Sequence, residues 1–269
     1  MPVPNVLGII AGSGAYPLLV AESARAAGVK RIVAAAFTGE TNSKLADAVD
    51  QIEWMRIGQL GRLLSFFREA NIEQAIMAGQ IAPNNLFNLR PDWKALLLLA
   101  RLKQRNAATI FGAIADDLAA VGVQLLPAFT FLEEHLARRG LIAGRALNAR
   151  EEADVAYGFQ MAKEVSRLDI GQTVVVKNGT VLAVEGFEGT NETLRRGGAL
   201  GHRNSIMVKV AKPNQDMRFD VPVIGAETVE IAAEAKVRVI AVEAGRTLLL
   251  EKEELIATAV RANISIVGR

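Results

Sequence analysis

The sequence contains no cysteine and only two histidines, His135 and His202, among its 269 residues. Without cysteine, a disulfide framework, a thiolate zinc site, an iron–sulfur cluster and a cysteine nucleophile are all excluded. Two histidines are too few to build a multi-histidine metal cage. Any bound metal must therefore be held by oxygen ligands, which favours a hard ion such as Mg²⁺ or Mn²⁺.

The sequence also lacks long apolar runs and an excess of charge of one sign. The run at residues 95–100, among the longest, is far shorter than the roughly 18–20 residues that span a bilayer. No basic stretch precedes the first apolar run and no cleavage site follows it, so no signal peptide is predicted. Lys and Arg number 31 against 29 Asp and Glu, a balance that argues against nucleic acid as the partner.

Buried strands and helices alternate along the first half of the chain. Residues 6–10, 31–37 and 74–78 have the pattern of buried strands, and residues 18–27 and 60–70 have that of helices. Such alternation indicates a parallel sheet with helices on both faces, which is a Rossmann-like α/β domain.

The second half of the chain changes character. Asn178-Gly179 between two β-branched runs predicts a hairpin, and further strands and helices follow it. We therefore predict a Rossmann-like N-terminal domain over residues 1–135, a linker over 136–147 and a second α/β domain over 148–269.

Two turns follow apolar strands at the same predicted sheet edge. Gly12-Ser13-Gly14 can present backbone N–H groups to a phosphate, or it is only a tight turn. The third glycine of the dinucleotide fingerprint is absent, which argues against the alternative of a dinucleotide-dependent oxidoreductase. Gly79-Gln80 offers an amide to a uracil or a sugar, or it simply begins a helix. Thr109, at the start of another helix, is a ligand contact or only a cap.

Two charged segments lie in the second half. The glycine-rich stretch 177–192 contains Lys177, which can reach a phosphate, and Glu185 next to Gly186, which can bind a metal or a sugar hydroxyl. A solvated loop is the alternative for this stretch.

The segment 209–225 holds the densest cluster of charges. Lys209 and Lys212 supply cations for phosphate oxygens, and Asp216 and Asp220 supply carboxylates for a metal or a water molecule. The spacing of these residues equally fits a charged surface loop.

Four of these segments together resemble one family. Residues 11–17 (AGSGAYP), 78–80 (AGQ), 184–192 (VEGFEGTNE) and 212–225 (KPNQDMRFDVPVIG) are similar to the UDP-2,3-diacylglucosamine pyrophosphatases of lipid A biosynthesis. This is the type found in many Gram-negative bacteria that lack the calcineurin-like metallophosphatase. The resemblance covers nearly the whole chain, and the last two segments are its specific part.

The resemblance implies a magnesium-dependent hydrolysis of the substrate's pyrophosphate bond, with Mn²⁺ as an alternative ion. Water attacks the sugar-side phosphorus, and the products are UMP and 2,3-diacylglucosamine 1-phosphate (lipid X). The partner is then a lipid-linked nucleotide sugar, and the protein is cytoplasmic and peripheral to the inner membrane; a homo-oligomer is left open. The alternative is a non-catalytic protein that binds a nucleotide sugar or a lipid on the same two-domain scaffold.

The resemblance also assigns residues. Asp220 matches the catalytic aspartate, and Asp220 with Asp216 would hold the metal. The substrate-binding positions are Ser13, Gly79, Gln80, Thr109, Lys177, Glu185, Gly186, Lys209 and Lys212. The two acyl chains require an apolar chamber. Residues 96–99 and residues 66–67 are candidates for its lining, although each of these two segments could be ordinary core.

Overall fold

The computed structural model describes residues 3–80, 91–104 and 106–269. They form two compact units. The first unit comprises residues up to Glu133 together with the short segment Asp216–Asp220, and the second comprises Glu134–Gln215 and Val221–Arg269. None of the helices in the described ranges is long and apolar enough to cross a membrane.

The first unit is a parallel five-stranded sheet in the order β3-β2-β1-β4-β5. Its strands are β1 (Val6–Ala11), β2 (Arg31–Phe37), β3 (Gln51–Met55), β4 (Gln74–Ala78) and β5 (Gln124–Leu125). Its helices are α1 (Tyr16–Ala26), α2 (Leu60–Glu69), α3 (Trp93–Arg101) and α4 (Ala107–Ala120), with a 3₁₀ turn at Ser43–Asp47. The sheet confirms the predicted Rossmann-like α/β class, because consecutive parallel strands must be joined by crossovers.

The second unit is built on a six-stranded mixed sheet in the order β6-β13-β11-β9-β7-β8 and a small parallel pair, β10-β12. Its strands are β6 (Gly140–Ala143), β7 (Thr173–Lys177), β8 (Thr180–Val184), β9 (Ser205–Lys209), β10 (Val223–Ile224), β11 (Val237–Val242), β12 (Leu248–Leu249) and β13 (Ser265–Gly268). Its helices are α5 (Ala149–Arg167), α6 (Gly189–Gly201), α7 (Ala226–Glu234) and α8 (Lys252–Arg261), and a 3₁₀ turn spans Glu133–His135.

Residues 136–147, predicted as a linker, contain the edge strand β6, which pairs antiparallel with β13. This segment belongs to the second unit rather than connecting two units. The strand has only four residues, which is too short a run to be identified from the sequence.

Helix α5 begins with a reciprocal cap at its N-terminus. The Asn148 side chain accepts hydrogen bonds from the backbone of Arg150 and Glu151, and the Glu151 carboxylate returns a contact to the Asn148 amide. This reciprocal capping box satisfies amides that the first turn of a helix leaves without partners.

Candidate active site

The ends of β1 and β4 are joined by backbone contacts in the first unit. Ser13 and Gln80 form an antiparallel bridge, in which the Ser13 amide and hydroxyl both donate to the Gln80 carbonyl at 2.7 and 2.9 Å. The Gly12 amide donates to the Ala78 carbonyl at 2.8 Å. Two of the amides expected to receive a phosphate, those of Gly12 and Ser13, therefore already have acceptors within the protein.

The glycines of this bridge are required by close backbone approach. A Cβ atom on Gly79 would lie 2.5 Å from the Ser13 carbonyl oxygen, and one on Gly12 would lie 2.5 Å from that of Gln80. Gly79 also has a φ of +90°, a conformation that residues with a side chain rarely adopt. The exposed Gln80 side chain remains available at this sheet edge.

An apolar cavity of about 110 Å³ lies in the same unit. Ile10 and Met77, near the ends of β1 and β4, line it together with Leu98 and Leu99 of α3 and Phe111 of α4. Among the described lining residues, Gln59 alone has a polar side chain. Such a cavity is suited to an alkyl group and offers little to water.

The two segments predicted as an acyl chamber have different environments. Leu98 and Leu99 line the cavity, whereas Leu96 and Leu97 are exposed. Phe66 and Phe67 are buried in the hydrophobic core of the first unit and do not line the cavity. Residues 66–67 therefore serve as core, the alternative that the sequence left open.

Residues Asp216–Asp220 form a single tight turn that packs into the first unit. The Asp220 amide donates to the Asp216 carbonyl at 2.9 Å, and the Arg218 amide donates to the Asp216 carboxylate at 3.1 Å. The Phe219 ring lies 5.9 Å from that of Phe111, which lines the cavity. The turn thus places Asp220 directly after an aromatic residue packed on a wall residue of the apolar cavity.

A hydrogen-bonded chain that the sequence analysis missed also holds this turn. The Tyr16 hydroxyl donates to the Ala128 carbonyl at 2.6 Å, and the Ala128 amide donates to the Met217 carbonyl at 2.7 Å. Tyr16 is buried, and burial raises the pKa of its phenol above the usual range, so it remains a donor at physiological pH. The only sequence signal for this link is a tyrosine within the motif at residues 11–17.

The two aspartates of the turn differ in their partners. Asp216 forms a two-pronged contact with Arg218, at 2.7 Å from Nη2 to Oδ2 and 3.0 Å from Nε to Oδ1. This hydrogen-bonded ion pair lowers the pKa of Asp216 and raises that of Arg218. Within the described part of the chain, the Asp220 carboxylate has no hydrogen-bond or ion-pair partner, so it is free to hold a cation or a water molecule.

A metal site complete in itself is not present among the described residues, in which no group of three acidic or histidine side chains lies close enough to share an ion. Mg²⁺ often needs only one or two carboxylates when substrate phosphates supply further oxygens. Asp220 fits that requirement because no residue in the described ranges pairs with its carboxylate. Asp216 fits it poorly because Arg218 already neutralises its charge.

Thr109 is occupied within its own helix. Its hydroxyl donates to the carbonyls of Gln104 and Asn106 at 2.7 and 3.0 Å, and Asn106 caps the helix by accepting from the Thr109 amide. The cap is therefore Asn106 and not Thr109, and the Thr109 hydroxyl has no remaining proton to donate to a ligand.

The second unit contains its own polar cluster, at the edge where β9 ends. Because β7 runs antiparallel to β9, Thr173 lies opposite Lys209 and the end of β8 reaches the same edge. The Thr190 hydroxyl donates to the Glu185 carboxylate at 2.7 Å and accepts from the Lys209 ammonium at 3.0 Å. Lys209 and Glu185 are buried, so this network fixes both charges.

Lys212 and Gly186 border this edge without joining that network. The Lys212 ammonium pairs with Asp169 at 2.5 Å, and the Gly186 amide donates to Glu188 at 3.1 Å. The backbone amide of Gly186 and the ammonium of Lys212 are both partnered inside the second unit.

Lys177 lies at the opposite end of the sheet from Glu185 and Lys209. It is the last residue of β7, four residues from Thr173, which corresponds to about 14 Å along an extended strand. Its ammonium donates to the Gly201 carbonyl at 2.7 Å, at the C-terminal end of α6. Lys177 therefore caps a helix, where a cation is favourable, and does not join the predicted cluster.

The second unit also contains an ion pair that was not predicted from the sequence. The Glu243 carboxylate accepts from the Lys163 ammonium at 2.6 Å and from the Ala211 amide at 2.7 Å. It thereby anchors the loop that follows β9. The available signal was the position of Glu243 directly after the buried strand β11.

Comparison with known proteins identifies the family to which this chain belongs. The LpxI N-terminal domain model matches residues 6–135, and the LpxI C-terminal domain model matches residues 138–267. The chain belongs to the LpxI family. It is 31% identical, over 97% of its own length and 96% of its relative's, to the UDP-2,3-diacylglucosamine pyrophosphatase LpxI of Caulobacter vibrioides. The resemblance inferred from four short segments is thereby confirmed, and the LpxI domain models fall on the two halves of the chain.

Proposed function

We propose that this protein hydrolyses the pyrophosphate bond of UDP-2,3-diacylglucosamine, the substrate named for its Caulobacter relative. The observation that carries the proposal is the juxtaposition, within the described part of the first unit, of an apolar cavity and a carboxylate without a partner there. Phe111 lines the cavity and packs on Phe219, and Asp220 follows Phe219 directly. A substrate with acyl chains and a pyrophosphate requires both environments close together.

In the proposed reaction, the oxygen of a water molecule forms a bond to the sugar-side phosphorus. The bond from this phosphorus to the bridging oxygen breaks, and UMP leaves with that oxygen. The water loses one proton to the medium or to a base, and the second product is 2,3-diacylglucosamine 1-phosphate. No oxidant or additional reactant is needed.

The residues of the first unit have distinct tasks in this proposal. Asp220 would hold Mg²⁺ or Mn²⁺ together with phosphate oxygens, and the ion would supply neutralisation of the charge that develops on them. Asp216 and Arg218 act as positioning residues, because they fix the turn that presents Asp220. Gln80 offers its exposed amide to the polar part of the substrate.

The decisive measurement is UMP release from the substrate with Mg²⁺ present. Asp220→Asn keeps the shape of the side chain and removes its charge, so we expect kcat to fall at least 100-fold with folding intact. Asp47→Asn is the matched control, since Asp47 is an exposed aspartate of the same unit and should leave turnover unchanged. Binding of the substrate without UMP release by the unaltered protein would instead favour a non-catalytic carrier.

The point of attack can be tested with isotopically labelled water. Hydrolysis in H₂¹⁸O should place ¹⁸O in 2,3-diacylglucosamine 1-phosphate and leave UMP unlabelled, as mass spectrometry would show. Label in UMP would mean attack at the other phosphorus. Removal of divalent ions with EDTA should abolish release, and Mg²⁺ or Mn²⁺ should restore it; full activity in excess chelator would exclude the role proposed for the metal.

The acyl chains of the proposed substrate also bear on where the protein acts. We propose that the protein is cytoplasmic and makes peripheral contact with the inner membrane, because a diacylated sugar partitions into a bilayer. The support from this chain is the apolar cavity, whose lining can receive alkyl carbons that leave the bilayer.

A further inference from the structure

Helix α3, Trp93–Arg101, has apolar side chains on both of its faces. Ala95 and Leu98 are buried against the first unit and line the cavity. Trp93, Leu96 and Leu97 are 72%, 46% and 40% exposed. Residues three and four apart share a helix face, so these three side chains form one apolar strip directed away from the core. We call these three residues the α3 strip.

Basic side chains flank the α3 strip on one side and beyond its end. Lys94 and Arg101 are exposed on the helix, and Lys103 is exposed just beyond its end. The only acidic residue between positions 91 and 104 is Asp92, and its carboxylate accepts hydrogen bonds from the Gly61 and Ala95 amides. The exposed side of α3 therefore combines a tryptophan, two leucines and cations without a facing carboxylate of its own segment.

We propose that the α3 strip and its flanking cations are the surface by which this protein docks on an anionic lipid bilayer. A tryptophan at the edge of a short leucine-rich helix and lysine or arginine beside it is the composition of helices that lie in the membrane interface. The cations complement the negative charge of anionic headgroups.

The position of α3 relates membrane docking to substrate uptake, an inference that rests on the proposed function. The same helix contributes Leu98 and Leu99 to the cavity wall while its opposite side presents the strip. An acyl chain that leaves the bilayer beside α3 would pass from one apolar surface of this helix to the other. The helix thus connects the source of the substrate with the cavity that receives its alkyl carbons.

The two tryptophans of the chain allow a direct test. Both lie in the first unit, and Trp54 on β3 is 36% exposed. In Trp54→Phe, Trp93 is the sole tryptophan, and phosphatidylethanolamine vesicles with 30% phosphatidylglycerol should shift its emission to the blue. Brominated acyl chains should quench it. In Trp93→Phe, the remaining Trp54 should show neither effect, and an unchanged Trp93 emission would overturn the proposal.

Substitutions separate the apolar and the charged parts of the surface. Trp93→Ser with Leu96→Ser should reduce vesicle binding in a flotation assay about tenfold or more, whereas Leu200→Ser, at an exposed leucine of the second unit, should not. Lys94→Gln with Arg101→Gln should reduce binding to anionic vesicles. Wild-type binding should weaken as salt rises, because salt screens charge pairs at the surface. Normal binding by both double variants would refute the assignment.

The outcome is independent of the enzymatic proposal, because vesicle binding is measured without substrate. If the protein releases no UMP but Trp93 enters the bilayer, the docking surface stands and the proposed function fails. If the strip instead joins two copies of the chain, gel filtration will show a dimer that Trp93→Ser converts to a monomer, and the docking proposal fails. Circular dichroism of each variant confirms that folding is retained.

Discussion

Gly79→Ala tests whether the close backbone approach at the Ser13–Gln80 bridge stabilises the first unit. An alanine with φ near +90° costs about 1–2 kcal/mol of backbone strain, partly offset by about 0.4–1 kcal/mol from a less flexible unfolded chain. The new Cβ would also lie 2.5 Å from the Ser13 carbonyl oxygen, and overpacking of this kind costs about 1–3 kcal/mol. We expect a net loss of about 1–4.5 kcal/mol.

Two neighbouring glycines separate these contributions. Gly14 has a φ of +85° and nothing within 4 Å of an added Cβ, so Gly14→Ala should cost about 1 kcal/mol from strain alone. Gly12 lacks a positive φ but its Cβ would meet the Gln80 carbonyl, so Gly12→Ala should show the cost of crowding alone. The sum of the two should approach the loss in Gly79→Ala.

The assay is urea unfolding followed by tryptophan fluorescence. Trp54 and Trp93 both lie in the first unit, so the signal follows that unit even if the chain does not unfold in one step. If Gly79→Ala is no less stable than Gly14→Ala, close backbone approach does not constrain this bridge, and the reasoning fails.

Three further predictions follow from contacts in the two units. Asn148→Ala removes the cap of α5 and should cost about 1 kcal/mol, measured by urea unfolding with far-ultraviolet circular dichroism; no change would mean that the capping box is not retained in solution. Tyr16→Phe leaves the buried Ala128 carbonyl without its donor and should cost about 1–3 kcal/mol by fluorescence, and an unchanged midpoint would argue against the hydrogen bond from Tyr16 to Ala128. Because the hydrogen bond from Arg218 lowers the pKa of Asp216 in the folded protein, the Asp216 carboxylate stabilises the fold. This stabilisation is fully present above the pKa of the unfolded chain, about 3.9, and it is lost as pH falls through the lower pKa of the folded protein. The stability difference between wild type and Asp216→Asn should therefore shrink from pH 5 to pH 3, and a constant difference would contradict the ion pair.

The strands of the first unit could be predicted because each is a continuous apolar run between turn residues. The observed β2 and β4 have the predicted bounds, and β1 extends one residue further. Helix α6 was missed because its sequence is rich in glycine, which local propensity assigns to loops. Added Cβ atoms at Gly197 and Gly198 would lie 2.5 Å from Val175 and 2.3 Å from the Ala235 carbonyl, so tertiary packing requires these glycines.

The candidate site was harder to predict than the fold, because charge type does not reveal which charges already have partners. Lys177 and Lys212 were selected as cations for phosphate, yet each bonds to a group of its own unit, the Gly201 carbonyl and Asp169 respectively. Asp216 and Asp220 are equivalent in charge type, and in the structure the contact with Arg218 distinguishes them. Lys177 and Gly201 are 24 residues apart, and Asp169 and Lys212 are 43 residues apart. Contacts at such separations depend on the topology of the fold, which cannot be read from residue spacing along the chain.

Because the turn Asp216–Asp220 belongs to the first unit, this unit is completed only after most of the second unit has been synthesised. A nascent chain that has reached Glu133 contains the whole first sheet but neither Phe219 nor Asp220. At ~5–20 residues per second, the ribosome needs roughly 4–17 s more to reach Asp220. The first unit therefore exists for some seconds as a scaffold without its unpartnered carboxylate, and a gene cut between the two family domains would yield an N-terminal fragment that never acquires it.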